Sequence, residues 1–171
     1  MVSISRRRIL RIARRRTAHL PNVRFHEISR PQLPFSDATF DRVYSHLVLF
    51  HLDKDDMYQY LREAARVLKP GGLIYFDTWN LLHPEGWARF EWEMEHHADK
   101  PIKPAHRNRF CTPEEVRLYT EKAGLKPLVL LDESFWVQMI AARPGVGVEI
   151  LEIQSRLRNL PALVPHGKWY Y

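Results

Sequence analysis

Hydrophobic positions change their period along this chain, and each change predicts an element. From Phe40 to Leu52, Val43, Tyr44, Leu47, Val48, Leu49 and Phe50 make an apolar run opened by Ser36-Asp37-Ala38-Thr39. That is the pattern of a buried strand entered through a polar turn and followed by a loop. Beyond it, Met57, Tyr60, Leu61, Ala64, Ala65 and Leu68 recur at helical spacing behind Asp53. They predict a helix with Asp53 at its N-cap and one face packed on a sheet. Lys69-Pro70-Gly71-Gly72 stops that helix with a cation near its negative end, a residue that cannot continue it, and glycines that permit positive φ. Leu73-Ile74-Tyr75-Phe76 reads as the next buried strand. Strand, helix and strand in this order predict a right-handed parallel crossover, the unit of doubly wound α/β sheets.

The flanks extend the pattern. Thr112-Pro113-Glu114-Glu115 is a capping box with proline at the first helical position, and Gly124 ends the helix that it opens. Lys126 to Leu131 and Phe135 to Ala142 read as strands. Val148, Ile150, Leu151, Ile153 and Leu157 give Val146 to Leu160 an amphipathic helical pattern, followed by a tail from Pro161 to Tyr171.

The segment "LPFSDATFDRVYSHLVLFHL", followed by "LREAARVLKPGGLIYFDT", resembles the second half of a class I S-adenosylmethionine-dependent methyltransferase, and the resemblance covers residues 2 to 142. It implies that Val2-Ser3-Ile4-Ser5 ends the family's second strand, that Arg6 to His19 is the following helix, and that Asn22 to His26 is the third strand. The implied fold is α/β, an incomplete Rossmann-like methyltransferase sheet with flanking helices and an inserted helical cover over residues 79–110. The chain is expected to form one domain, 1–171, with residues 146–171 as a C-terminal helix and tail. By resemblance the cofactor is S-adenosylmethionine. Ser3 stands where the family usually has the acid that holds the ribose hydroxyls, and Ser29 stands at the adenine position. Ser45 and His46 lie in the wall where the family's fourth strand meets the cofactor. None of the seven glycines precedes Gly71, so the family's first strand and glycine-rich turn have no counterpart here. That strand lies mid-sheet in the family, and its neighbours would be left with unpaired backbone groups. The resemblance therefore implies a sheet completed by replacement, swapping or rearrangement, through a homodimer or a partner chain.

Composition narrows the class. With 171 residues and 45% hydrophobic content, the chain can bury a core as one domain. The single Cys111 excludes an internal disulfide and fits a cytoplasmic setting. No apolar run approaches the roughly 20 residues needed to cross a bilayer, and the charged N-terminus is not followed by a signal-peptide core. The net charge of +6 concentrates in Arg6-Arg7-Arg8 and Arg14-Arg15-Arg16, with Ile9, Leu10, Ile12 and Ala13 between them. Such a helix can meet RNA or an anionic membrane, but a solvated face on the sheet is the favoured reading, and nucleic acid is not the expected partner.

Chemistry concentrates in residues 79–110. Trp79, Trp87 and Phe110, with Phe90 and Trp92 nearby, supply the aromatic walls that a small organic acceptor needs, although Trp87, Phe90 and Met94 also have the spacing of a helix packed on a core. Glu93-x-x-His96 with Glu95, His97 and His106 has no second motif of matching spacing, so no metal site is expected. Methyl transfer is a displacement on an already activated sulfonium, so the protein mainly aligns the nucleophile and excludes water. Where the acceptor must lose a proton, His51 and His83 are the candidate bases. The expected function is methyl transfer to a small molecule by a truncated or partner-completed enzyme, this chain representing the part after the family's first strand. The alternative is a non-catalytic methyltransferase-like subunit or dimerisation module.

Overall fold

The computed structural model describes residues 6–28, 30–102, 104 and 107–145. The strand expected at Val2 to Ser5, the helix expected from Val146, and Ser3, Ser29 and His106 lie outside them. Helix α1, Arg6–Arg16, ends on Arg14, Arg15 and Arg16, which oppose the negative end of the helix dipole. Strand β1 is Phe40–Ser45 and is followed by a 3-10 turn, Leu49–His51. Helix α2, Lys54–Val67, leads into strand β2, Leu68–Asn80. Then come helix α3 (Pro84–His97), strand β3 (Phe110–Cys111), helix α4 (Pro113–Lys122) and strands β4 (Lys126–Leu131) and β5 (Trp136–Ala142).

The crossover forms as the periodicity predicts, with β1 and β2 parallel. The sheet order is β1-β2-β5-β4, and β5 runs antiparallel to both neighbours. Short β3 continues the β1 side of β2 by pairing parallel with Trp79 and Asn80. Side chains alternate along each strand. Ile74 and Phe76 of β2 and Met139 and Ala141 of β5 share a core with Met57, Leu61 and Ala64 of α2 and Val116 of α4. On the opposite face Tyr75, Gln138 and Ile140 are only half-buried, because among the described residues no helix spreads across it.

Four local features differ from the sequence expectation. Asn22 to His26 forms no strand. No described strand runs along the outer side of β1, so this segment has no ladder to join, and it is held instead by edge-on contacts of His26 with Phe35 and of Phe35 with Phe40, each 4.8 Å between ring centroids. For the same reason β1 is a sheet edge among the described residues rather than a buried central strand. Lys69 to Gly72 does not separate helix from strand but forms a bulge inside β2. Phe40 aligns with Leu68 and Arg42 already with Leu73, and Gly71 absorbs the extra chain at φ 78°. Asp53 precedes α2 but makes no side-chain cap, since its carboxylate takes Arg109 Nε at 3.0 Å, a charge-assisted bond. The capping box of α4 forms as expected: Glu115 N donates to Thr112 Oγ1 at 3.3 Å and Thr112 N to Glu115 Oε2 at 3.1 Å.

Candidate active site at the carboxyl end of the sheet

In open α/β sheets, ligands meet the protein beyond the carboxyl ends of the parallel strands. Here those ends are Ser45 of β1 and the stretch from Asp77 to Asn80 of β2. Asp77 lies on the sheet face without a helix across it, yet it is only 1% exposed, because the chain leaving β1 folds over it. Leu47 adopts φ 57°, a left-handed conformation costly for a side chain of this shape, and its N–H thereby donates to Asp77 Oδ1 at 2.8 Å. Asp77 Oδ2 accepts from Tyr75 Oη at 3.2 Å and pairs with His46 Nδ1. Burial, reinforced by the Asp77 carboxylate, pushes the Tyr75 phenol well above its usual range, which keeps it a donor. The Tyr44 ring is stacked on that of Tyr75, 5.0 Å between centroids, and stays 69% exposed.

A carboxylate only accepts, so the His46–Asp77 pairing puts the ring proton on Nδ1 and makes Nε2 the basic atom of the neutral imidazole. Nothing in the spacing of the sequence pairs His46 with Asp77. The available signal was a carboxylate ending a strand that otherwise reads Leu-Ile-Tyr-Phe.

The other sequence-derived residues divide into two groups. Ser45 and His46 stand together at the end of β1, whereas Trp79 and Phe110 face one another where β2 meets β3, 6.0 Å between ring centroids. Phe90 of α3 lies edge-on to Phe110, and Trp87, 48% exposed, lies 5.3 Å from Phe90 at the outer end of this aromatic chain. Phe50 belongs to the second group: its ring is 6.3 Å from that of Trp79, and its carbonyl accepts from Arg109 N at 2.7 Å. His51 lies against the Phe50 ring at 4.1 Å. His83 Nδ1 accepts from Glu85 N at 3.3 Å and so serves as the N-cap of α3. Among the described residues no group of three His, Cys, Asp or Glu could hold a metal ion, and no helix is long and apolar enough to cross a membrane.

The order of these elements has matches among known proteins. A family described as "Methyltransferase domain" matches residues 2–76, which carry both α1 and the crossover. Over this stretch the chain is similar to methyltransferases. Of the methyltransferases similar to it, 27-O-demethylrifamycin SV methyltransferase from Amycolatopsis mediterranei (strain S699) is 28% identical over 96 residues, 56% of this chain. The chain spans about a third of that relative, 33% of its length. A solved S-adenosylmethionine-dependent methyltransferase from Thermotoga maritima superimposes with a TM-score of 0.60 at 20% identity, covering 80% of this chain and 69% of its own. A Haloferax volcanii complex of the Trm112 methyltransferase activator with a methyltransferase gives 0.52 at 20% identity, over 67% of this chain and 59% of that one. The methyltransferase fold is thus shared over most of this chain.

Proposed function

We propose that this methyltransferase-like chain takes part in S-adenosylmethionine-dependent methyl transfer to a small-molecule acceptor, with His46 as the base that removes the acceptor's proton. The observation that carries this reading is the buried Asp77 carboxylate bound to His46 Nδ1, Tyr75 Oη and Leu47 N beyond the strand ends. His51 and His83 remain alternatives, but His83 already uses Nδ1 as a helix cap. Asp77 orients the imidazole and stabilises the imidazolium formed when Nε2 accepts a proton, the division of labour seen in carboxylate–histidine pairs generally.

The described residues suit one wall of a cofactor site. The exposed face of Tyr44 offers a π surface that favours a cationic sulfonium. Ser45 and His46 would line that wall, and Ser3 and Ser29 would contact the nucleoside. Bound S-adenosylmethionine supplies an activated methyl group. The aromatic walls at Trp79 and Phe110 hold the acceptor and exclude water. A small acceptor also agrees with the Amycolatopsis relative, a 27-O-demethylrifamycin SV methyltransferase.

Among the described residues β1 pairs with β2 alone. We infer that a further strand lies against β1 in the active assembly, whether from elsewhere in the protein, from a second copy or from a partner chain. The Haloferax complex, in which a methyltransferase is bound to an activator, is consistent with such a partner. A non-catalytic subunit would share this edge but would have no use for the His46–Asp77 pair.

Titration calorimetry of the purified chain with S-adenosylmethionine and S-adenosylhomocysteine, after its mass in solution is known, tests the reading. Micromolar binding, with an Asp77→Asn variant that still binds but turns over about 10²-fold more slowly, is the expected result. A folded chain that binds neither compound overturns the catalytic reading and leaves the subunit.

A further inference from the structure

A cleft of ≈ 710 Å³ between the Arg30 loop and the ends of α2 and α4 is lined by four arginines, but Arg66 and Arg143 are already committed to protein acceptors. A second cleft of ≈ 550 Å³ lies under α3 at the carboxyl end of β2, and its charges do not balance. Its walls are apolar, formed by Leu81, Phe90, Met94 and Phe110. Of its charged lining groups, Lys54 is paired with Glu115 and Arg109 with Asp53. Glu93 is 6% exposed. Its Oε1 accepts from Arg89 Nη2 at 3.1 Å and from Asn108 N at 3.3 Å, and its Oε2 lies 3.2 Å from His97 Nε2 without the alignment of a hydrogen bond. Arg107 is different. It forms no ion pair among the described residues, and its Nε is buried without a hydrogen-bond partner.

A guanidinium at an apolar wall with no ion pair among the described residues is an unfavourable arrangement for an empty protein. It becomes favourable when a planar anion supplies two acceptors, since the guanidinium fork matches a carboxylate. The cleft has the volume of a small-molecule site. Its single unpaired cation suits one negative charge, not the repeated charges of a nucleic acid.

We propose that this cleft receives a flat, apolar small molecule carrying a carboxylate, with the ring system against Phe90 and Phe110 and the carboxylate on Arg107. Calling this ligand the methyl acceptor rests on the methyl-transfer reading; the binding specificity does not. Arg107 is a specificity residue here, and it leaves proton removal to His46.

The full 171-residue chain is titrated with 2-naphthoate and with its neutral isostere 2-naphthamide, with and without S-adenosylhomocysteine. The acid is expected to bind at least ten-fold more tightly than the amide, Arg107→Gln to erase that preference, and Arg107→Lys to restore part of it. The Met94 methyl resonance of the unmutated chain should shift with the acid while those of Met57 and Met139 stay in place. This localises the site even where an Arg107 variant folds poorly. Equal binding of acid and amide, absence of acid binding, a preference that survives Arg107→Gln, or a shift that bypasses Met94 overturns the proposal. Acid binding by a chain that ignores S-adenosylhomocysteine leaves the cleft standing and removes the methyl-transfer reading; the reverse pattern removes the cleft alone.

Discussion

Arg66 shows how much a single side chain can organise. Its Nε and Nη2 grip both oxygens of Glu63 at 2.9 and 2.7 Å, while Nη1 and Nη2 also donate to the carbonyls of Phe35 and Leu33 at 2.8 and 3.0 Å. Glu63 Oε2 accepts from Leu33 N at 2.8 Å, so the segment entering β1 is clasped to α2 from both sides. A lysine has the charge but not the fork, and Arg66→Lys is expected to cost about 2 kcal/mol, read as a lower midpoint in urea. The guanidinium holds the Glu63 carboxyl below its usual range. A lowered pKa means stability that is present above the carboxylate's ordinary value and fades as pH falls through the folded value, so acid should loosen this clasp. The opposite sign applies at Cys111, whose thiol burial pushes up to about 11. Its neutral form stabilises the fold below the ordinary value of 9.0, and that contribution is lost as pH rises from there toward 11. At pH 8 the native thiol is expected to resist iodoacetamide until denaturant opens the core; rapid labelling of the folded chain would contradict its burial. Neither clasp nor thiol environment could be read from spacing, because both depend on residues brought together by the crossover.

At the scale of elements, sequence and structure agree where the pattern is local and part where it depends on a neighbour. The capping box at Thr112, the period of α2 and the alternation in β5 are each decided within a few residues, and each formed as expected. Asn22 to His26 has a strand's composition, but a strand is only half specified by its own residues. Likewise the resemblance placed His46 in a cofactor wall, but only the parallel pairing of β1 with β2 sets it beside Asp77. Helix α3 is positioned by a contact its sequence only hints at. A Cβ on Gly86 would stand 1.7 Å from the carbonyl oxygen of Asn80, so this helix can sit so close to the end of β2 only because residue 86 has no side chain. Gly86→Ala is expected to lift α3 away, lower the melting temperature by several degrees and open the aromatic chain from Trp79 to Trp87. Tryptophan emission shifting to the red would report it, whereas unchanged emission and stability would mean that α3 sits elsewhere.

The whole molecule leaves two complementary surfaces. Among the described residues, the sheet face carrying Tyr44, Tyr75 and Ile140 has no helix spread across it and the edge of β1 beside it has no ladder partner. Exposed edges of this kind pair with other strands unless blocked. The chain is therefore expected to sediment as a dimer or larger assembly at micromolar concentration, and Tyr44→Glu to shift it toward monomer. A sharp monomer peak for the unmutated chain would show that face and edge to be tolerated alone.

The order of the strands also sets a timetable. β2 lies between β1, which precedes it by one helix, and β5, whose pairing begins with Ala142 opposite Leu73. A chain emerging from the ribosome can close the β1–β2 crossover early, but it cannot give β2 its second neighbour until some sixty residues more have been made. Throughout that interval the apolar strand at the centre of the sheet has one side open, which makes it the point at which a chaperone would hold this protein, and at which slow synthesis would expose it to aggregation.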